Sequence, residues 1–159
     1  MTNITKYILI FLSVFLILGG CSNSLVSPEA LVMVTGINND SAFTYNESSQ
    51  EKNITLTIKT SNGIGVNFVA YKTEFYYSDN IPVGDTNINK TGIVSKYIAG
   101  YTEGSISLLL ISSDLENFVE KNIDTKEDNI HEMLAKITLI GIDENENQIS
   151  CTGNISISF

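Results

Sequence analysis

The sequence "ISCTGNISISF" occupies residues 149–159 and alternates between apolar and polar side chains. Its odd-numbered positions carry Ile, Cys, Gly, Ile, Ile and Phe, whereas its even-numbered positions carry Ser, Thr, Asn, Ser and Ser. Because successive side chains of a strand point to opposite faces of the sheet, this period of two predicts one buried and one solvated face. Cys151 falls on the predicted buried face, where a free thiol behaves as a small apolar side chain and not as a nucleophile.

The preceding segment extends this strand into a hairpin. Residues 133–143, "MLAKITLIGID", form a β-rich run, and the polar turn "ENENQ" follows them. A strand, an Asn-rich turn and a second strand are typical of a β-hairpin.

Similar runs recur along the chain. Strands are predicted at residues 31–34, 54–59, 66–77 and 106–111, with turn-forming stretches such as "SNGIG" and "SDNIPVGDTN" between them. Within residues 66–77, one parity holds Val69, Tyr71, Phe75 and Tyr77, and the other holds Lys72, Glu74 and Tyr76. Tyr71, Phe75 and Tyr77 are expected in the core or at its rim, and Tyr76 and Tyr45 are candidates for solvent exposure.

One segment has a helical pattern. In "SDLENFVEKNI", residues 113–123, Leu115, Phe118 and Val119 recur at i, i+3 and i+4. Ser113 and Glu116 have the spacing of a capping box. This predicts a short helix that crosses from one sheet to the other.

These elements predict an all-β fold. At least six strands and one helical crossover in about 130 residues favour a single antiparallel β-sandwich. A closed barrel would produce the same alternation and stays open as an alternative.

The N-terminus predicts export. Residues 7–18 form an apolar run that follows Lys6 and is too short to span a bilayer, which takes about 20 apolar residues. An apolar run of this length behind a positive charge is typical of a signal peptide.

The residues where this run ends, Leu18, Gly19, Gly20 and Cys21, resemble the lipobox of bacterial lipoproteins. The resemblance implies a diacylglycerol on the Cys21 thiol and cleavage just before it. The implied organisation is a signal peptide over residues 1–20, a lipidated tether over residues 21–30 and a domain over residues 31–159. It also implies a bacterial cell envelope location, in the outer membrane if the cell has two membranes, because Ser22 and not Asp follows the cysteine.

The acidic composition argues against some partners. The formal charge of the chain is −9, and it becomes −10 when Lys6 is removed with the leader. This acidity argues against nucleic acid and against an anionic membrane as electrostatic partners.

Cys151 is the only cysteine besides Cys21, so a lipidated chain has no disulfide to form.

Two stretches resemble a family. "VAYKTEFYYSDNIPV", residues 69–83, and "AKITLIGIDENENQISCTGNISISF", residues 135–159, are similar to small bacterial lipoproteins with an immunoglobulin-like domain. The resemblance implies an immunoglobulin-like sandwich and no particular activity. Here Glu146 and Asn147 stand where a Gly-Asn turn is common, which implies a longer turn. The chain also lacks the paired cysteines and core tryptophan of antibody domains.

No set of residues indicates catalysis. His131 is the only histidine, and the chain has no Gly-x-Ser-x-Gly motif and no Gly-rich phosphate loop after a strand. One histidine and one core-facing cysteine do not make a zinc site. Glu116 with Glu120, and Glu127 with Asp128, are expected on the surface and not in a cleft. The chain is therefore predicted not to be an enzyme and to need no cofactor beyond the diacylglycerol.

Calcium is the remaining chemical candidate. Asp143, Asn145 and Asn147 place oxygen-bearing side chains at alternate positions of "DENEN". Gln148 and Asn154 stand where an EF-hand needs Gly and Glu, so that motif is excluded. The alternative is an ordinary turn, because Asp and Asn favour turns through bonds to their own backbone. Asp79, Asp85 and Asn87 have the same two interpretations.

The sequence therefore predicts a non-enzymatic, lipid-anchored envelope protein. Its expected role is protein or surface interaction, or structural support, with the membrane and another envelope or surface protein as partners. The alternatives are a calcium-stiffened adhesive module and a carbohydrate-binding accessory to an enzyme.

Overall fold

The computed structural model describes residues 27–37, 42–44, 53–123 and 132–158. The strands are β1 (Val32–Ile37), β2 (Ala42–Thr44), β3 (Asn53–Thr60), β4 (Val66–Tyr77), β5 (Lys90–Ile98), β6 (Glu103–Leu109), β7 (Glu132–Asp143) and β8 (Gln148–Ser158). The helix α1 (Ser113–Ile123) connects β6 to β7, and a 3-10 turn (Thr86–Ile88) precedes β5.

The described strands form two sheets. One has the order β1-β3-β6, and the other has the order β2-β8-β7-β4-β5. All pairs are antiparallel except β2 and β8, which run parallel. The predicted all-β sandwich with one helical crossover is confirmed, because α1 leads from β6 in one sheet to β7 in the other. The alternative of a single closed barrel is wrong, since the described strands divide into two sheets.

The core lies between the sheets and contains the apolar positions of the alternating strands. In β8 the buried residues are Ile149, Cys151, Gly153, Ile155 and Ile157, as the alternation predicts. Facing side chains are fully or almost fully buried, among them Ile54, Leu56, Ile58, Phe68, Phe75, Met133, Ile137 and Leu139. Each such large side chain contributes about 1.5–3 kcal/mol through removal from water.

A β-bulge in β4 changes the predicted face of one residue. The pairing of β4 with β7 shifts between Phe68 and Ala70, so Val69 is an extra residue in its strand. Phe68 is fully buried, whereas Val69 is on the outer face and 36% exposed. Val69 therefore does not share the inner face with Tyr71 and Phe75, although the three have the same parity, because a bulge reverses the alternation on one side of it.

The bounds of other elements also differ from the prediction. β1 runs three residues beyond 34, and β6 begins at Glu103 and ends at Leu109 instead of spanning residues 106–111. β2 and β5 were not predicted.

The helix matches its predicted range, but its cap is different. Ser112 Oγ accepts the backbone N–H of Leu115 at 3.3 Å, so the N-cap is Ser112 and not Ser113. Leu115 and Val119 are buried and Phe118 is partly buried against the core.

The loops lie at two ends of the sandwich. The end where residues 27–31 join the domain, called here the N-terminal end, also carries the β3–β4 loop, the β5–β6 loop and the β7–β8 turn. Backbone bonds join these parts, including Ser61 N to Leu31 O at 2.8 Å and Glu144 N to Gly65 O at 3.1 Å. The opposite end, called the helix end, carries the β4–β5 loop and α1.

Candidate functional site

Several predicted site residues lie outside the described part of the chain. These are the lipidation candidate Cys21, the single histidine His131, Tyr45, Glu127 and Asp128. Lipidation of Cys21 stays a prediction. Among the residues that the structure describes, no helix has the length and apolar character needed to cross a bilayer.

The candidate calcium residues lie together in the β7–β8 turn, where Asp143 is a hydrogen-bond acceptor for its surroundings. Its Oδ1 accepts the backbone N–H groups of Asn145 at 2.9 Å and Asn147 at 2.8 Å. Its Oδ2 accepts the backbone N–H of Ala30 at 3.0 Å and the side-chain amide of Asn147 at 3.0 Å. Asp143 is buried, so these bonds replace the water that its carboxylate loses.

The two asparagines direct their amides toward the N-terminal segment. The Nδ2 group of Asn145 donates to Pro28 O at 2.8 Å, and that of Asn147 donates to the same oxygen at 3.4 Å. The turn therefore holds residues 28–30 against the sandwich through both its carboxylate and its amides.

Hydrogen bonding also controls the protonation of Asp143. Burial acts to raise its pKa, but the N–H donors of Asn147, Ala30 and Asn145 together hold the pKa of this carboxyl below its usual value. A cation would have to displace these donors from both carboxylate oxygens. Within the described ranges, no three or more His, Cys, Asp or Glu residues are grouped so that they could hold a metal ion.

The other loop candidates show the same behaviour. Asp79 Oδ1 accepts the N–H of Ile81 at 3.2 Å, and Asp85 Oδ1 accepts the N–H of Asn87 at 3.0 Å. Both are side-chain-to-backbone turns of the kind that Asp favours.

A second carboxylate extends this hydrogen-bonded network. Glu144 Oε2 accepts the N–H of Gly65 at 2.9 Å, and its Oε1 accepts the hydroxyl of Tyr97 at 2.5 Å. The Tyr97 hydroxyl, followed by the Gly65 amide, lowers the pKa of Glu144, and the same bond raises the pKa of Tyr97. The pair therefore joins β5 to the β7–β8 turn.

The outer face of the five-stranded sheet carries a patch of exposed apolar side chains. Its members, called here the outer stripe, are Val69, Ile93, Tyr97 and Ile142. Ile93 is 92% exposed, Tyr97 53% and Ile142 48%. They are neighbours, because Asn67 pairs with both Tyr97 and Ile142, and Ala70 pairs with both Ile93 and Ile140.

The sequence prediction did not include this patch. Ile93 and Tyr97 lie in β5, where Ile93 and Val94 are adjacent and interrupt the period of two. A signal was present in β7, because Leu134, Ile140 and Ile142 place apolar side chains on the face that the alternation assigns to solvent.

A polar cleft of about 460 Å³ lies at the helix end, between the 3-10 turn and α1. Lys90 and Asp114 form an ion pair in it. Its lining includes Asp85, Lys90, Asp114, Asn117, Phe118 and Lys121. Of the predicted carboxylate pair on α1, Glu120 is exposed and Glu116 is partly buried, and neither lines this cleft.

Comparison with known proteins adds little to these observations. No protein-family model matches the chain, and no curated protein matches it. A similar solved structure is the putative ApaA protein from Bordetella pertussis, at 8% identity and a TM-score of 0.46, with 82% of this chain and 94% of that chain covered.

Two chaperones are also similar at a lower level. The E. coli chaperone DraB has 14% identity and a TM-score of 0.35, with 79% of this chain and 54% of that chain covered. The periplasmic chaperone SfaE has 10% identity and a TM-score of 0.37, with 80% and 56% covered. The chain spans about half the length of these two proteins, and at such scores the likeness carries no functional conclusion.

Proposed function

We propose that this chain is a non-enzymatic, lipid-anchored protein-interaction module of the bacterial cell envelope. Its domain is an immunoglobulin-like sandwich, and its contact surface is the outer face of the five-stranded sheet. The exposed outer stripe on that face is the observation that carries the proposal.

Strand order supports the immunoglobulin-like type. In that fold, strands A, B and E belong to one sheet and strands G, F and C to the other, with C′ beside C in variable-type domains. The order β1-β3-β6 corresponds to A-B-E, and the order β8-β7-β4-β5 corresponds to G-F-C-C′. Without the disulfide and tryptophan of antibody domains, the two sheets pack together through an apolar core.

The lipobox-like sequence supports the anchor. Leu18, the last residue of the apolar run 7–18, is followed by Gly19, Gly20 and Cys21. Two or more acyl chains hold a protein stably on a membrane, whereas one holds it only marginally. Lipidated Cys21 supplies the diacylglycerol that such anchoring requires.

The chemistry of the outer face favours a protein partner. Aromatic and large aliphatic side chains that are contiguous and exposed are typical of binding surfaces. Farther along the same face, Lys72 bonds Glu74 at 2.8 Å, and Lys136 pairs with Glu74 across the strands. We infer a partner protein whose contact surface has an apolar centre.

Site-specific photocrosslinking in the native cell tests the contact surface. A photoreactive amino acid at Ile93 is expected to crosslink one discrete envelope protein. The matched control is Leu109, which is apolar and exposed on the outer face of the other sheet. An Ile142→Asp variant that carries the probe at Ile93 is expected to lose about tenfold or more of the crosslinked product.

Two outcomes would overturn the proposal. One is equal crosslinking from Ile93 and Leu109, or none from Ile93 in a protein that is correctly folded and located. The other is an unmodified Cys21 in the mass spectrum of the native protein, which would remove the anchor and leave the contact surface to be judged by crosslinking alone.

The cleft at the helix end favours a carbohydrate-binding accessory as a second candidate function. Phe118 offers an apolar surface, and Asp85, Asn117 and Lys121 offer hydrogen-bonding groups around it. Titration with soluble cell-wall oligosaccharides, followed by NMR of the asparagine side-chain amides, tests this. Shifts at Asn117 that an Asp85→Ala variant abolishes would support binding, and unchanged spectra would exclude it for those sugars.

A further inference from the structure

We propose that the N-terminal end of the domain rests on the lipid bilayer that holds the anchor, with the side chains of Leu31 and Tyr101 in the headgroup region. This inference rests on the lipid anchor of the proposed function. It adds a second membrane contact, made by the folded domain, and therefore an orientation.

The length of the tether brings this end close to the bilayer. Ser27, the first described residue, follows Cys21 by six positions. Six residues span at most about 20 Å when fully extended. Hydrogen bonds hold Pro28 and Ala30 against the β7–β8 turn, so the tether can become longer only if those bonds break.

Two residues with exposed apolar side chains lie at the same end. Leu31 is 61% exposed and Tyr101 is 75% exposed. Asn62 joins their backbones, because its Oδ1 accepts the N–H of Leu31 at 3.1 Å and its backbone oxygen accepts the N–H of Tyr101 at 2.9 Å. Asn62 thus holds the backbones of Leu31 and Tyr101 at the same end of the domain.

The loop that carries Tyr101 is held firmly. Thr102 N donates to Ala99 O at 3.3 Å, and Tyr101 has a φ of 57°, in the left-handed region. Thr60 Oγ1 donates to Ala99 O at 2.6 Å and ties the loop to β3. A tyrosine ring in such a turn suits the membrane–water interface, where one end of the ring is apolar and the other is hydrated.

The charges at this end decide which surface it fits. Glu29, Glu144 and Glu146 are exposed there. They would be repelled by an anionic bilayer. The contact is therefore apolar in origin and is expected to be strongest on a zwitterionic surface. It depends on the anchor for its strength, because tethering converts a weak contact into an intramolecular one.

Tryptophan fluorescence tests the contact directly, since the chain has no tryptophan. Full-length lipidated Tyr101→Trp protein is placed in phosphatidylcholine vesicles with brominated acyl chains. Its emission is expected to fall to about half, because interfacial groups lie about 5–10 Å into the headgroup and acyl boundary. Ile81→Trp at the helix end is the matched control, and its emission is expected to stay unchanged.

A second pair of variants guards against a local effect of the probe. Leu31→Trp is expected to be quenched like the first reporter. Leu31→Glu, added to the Tyr101→Trp protein, is expected to abolish the quenching of that reporter without a change in the unfolding temperature. Two results would overturn this inference and leave the anchor in place, provided that mass spectrometry finds the lipid on Cys21. One is equal quenching of the tryptophans at positions 101 and 81, and the other is no quenching at positions 101 and 31. A protein without the lipid overturns the proposed anchor itself.

Discussion

Cys151 is on the inner face of β8, between Ile149 and Gly153, and only 8% of its surface is exposed. Burial raises the pKa of its thiol to about 11. The thiolate is the reactive form of cysteine, so the surroundings that make Cys151 part of the core also make it unreactive.

A single-thiol protein tests this. In the Cys21→Ala variant at pH 8, alkylation of folded Cys151 is expected to be about 100-fold slower than in denaturant, because two pKa units remove that much thiolate. A raised pKa in the folded state stabilises the fold fully below the unfolded pKa, and this contribution is lost as the pH rises through about 11. The Cys151→Val variant should show less of this alkaline loss in thermal unfolding. Equal alkylation rates in both states would contradict the burial.

Asn80 and Glu146 are turn residues that adopt a left-handed backbone conformation. Both have a φ of 65°, and each donates its backbone N–H to the residue three positions before it, Tyr77 and Asp143 respectively. Asparagine tolerates the left-handed region, whereas glutamate adopts it at a cost. In the β7–β8 turn, the hydrogen bonds between Asp143 and Asn147 offset this cost.

At the scale of elements, the bulge at Val69 and the connection from β5 to β6 decide which surfaces are exposed. The bulge turns Val69 outward into the outer stripe. The connection crosses from the five-stranded sheet to the three-stranded sheet, where Gly100 lies against the backbone of the β3–β4 loop. A Cβ atom on Gly100 would lie 2.2 Å from the carbonyl carbon of Gly63, closer than any side-chain movement could relieve.

Gly100→Ala is therefore expected to destabilise the domain by about 3 kcal/mol, at the upper end of typical overpacking costs. The matched control is Gly84→Ala, since no atom lies within 4 Å of a Cβ added there. We expect the control to change stability by less than about 0.5 kcal/mol. Chemical denaturation of both variants measures this, and comparable losses would show that the contact between the two loops is unimportant.

At the scale of the whole molecule, Asp143 joins parts of the chain that are far apart in sequence. Its bond to Ala30 spans 113 positions. Through it, the last hairpin holds the segment of residues 28–30, so a force on the proposed anchor would be expected to reach the sandwich through the β7–β8 turn.

Asp143→Asn is expected to lower the unfolding temperature. Its side-chain NH₂ would replace one carboxylate oxygen that accepts hydrogen bonds and would face N–H donors that it cannot accept. Asp79→Asn, in a comparable turn at the helix end, should have little effect. The lowered pKa of Asp143 means that its contribution is present above the unfolded pKa of about 4 and is lost as the pH falls through the folded value. In thermal unfolding, the native protein and the Asp143→Asn variant should therefore converge as the pH falls below the lowered pKa of Asp143.

Calcium provides a further check on the same residue. Millimolar calcium should leave the unfolding temperature of the native protein unchanged relative to chelator, because a ligand that binds only the folded state would raise it. A rise that Asp143→Asn removes would establish the calcium site instead.

The sequence by itself determined the elements whose pattern is local. Alternation in β8 identified its buried face and Cys151, and the spacing of Leu115, Phe118 and Val119 identified α1, because side-chain direction along a strand or helix follows from backbone geometry. The range of α1 could be predicted to the residue, whereas the cap at Ser112 could not, since neighbouring serines offer the same chemistry.

Only the tertiary structure decided the surfaces. The bulge at Val69, the existence of β5, the outer stripe and the bonds that Asn62 makes to both Leu31 and Tyr101 all depend on parts of the chain that meet across long separations in sequence. Asp143 illustrates the same limit. The sequence around it predicted either a turn or a cation site, and only its burial beside Ala30 in the folded protein shows which N–H groups its oxygens accept. Register and burial are set by partners elsewhere in the chain, so no local pattern contains them.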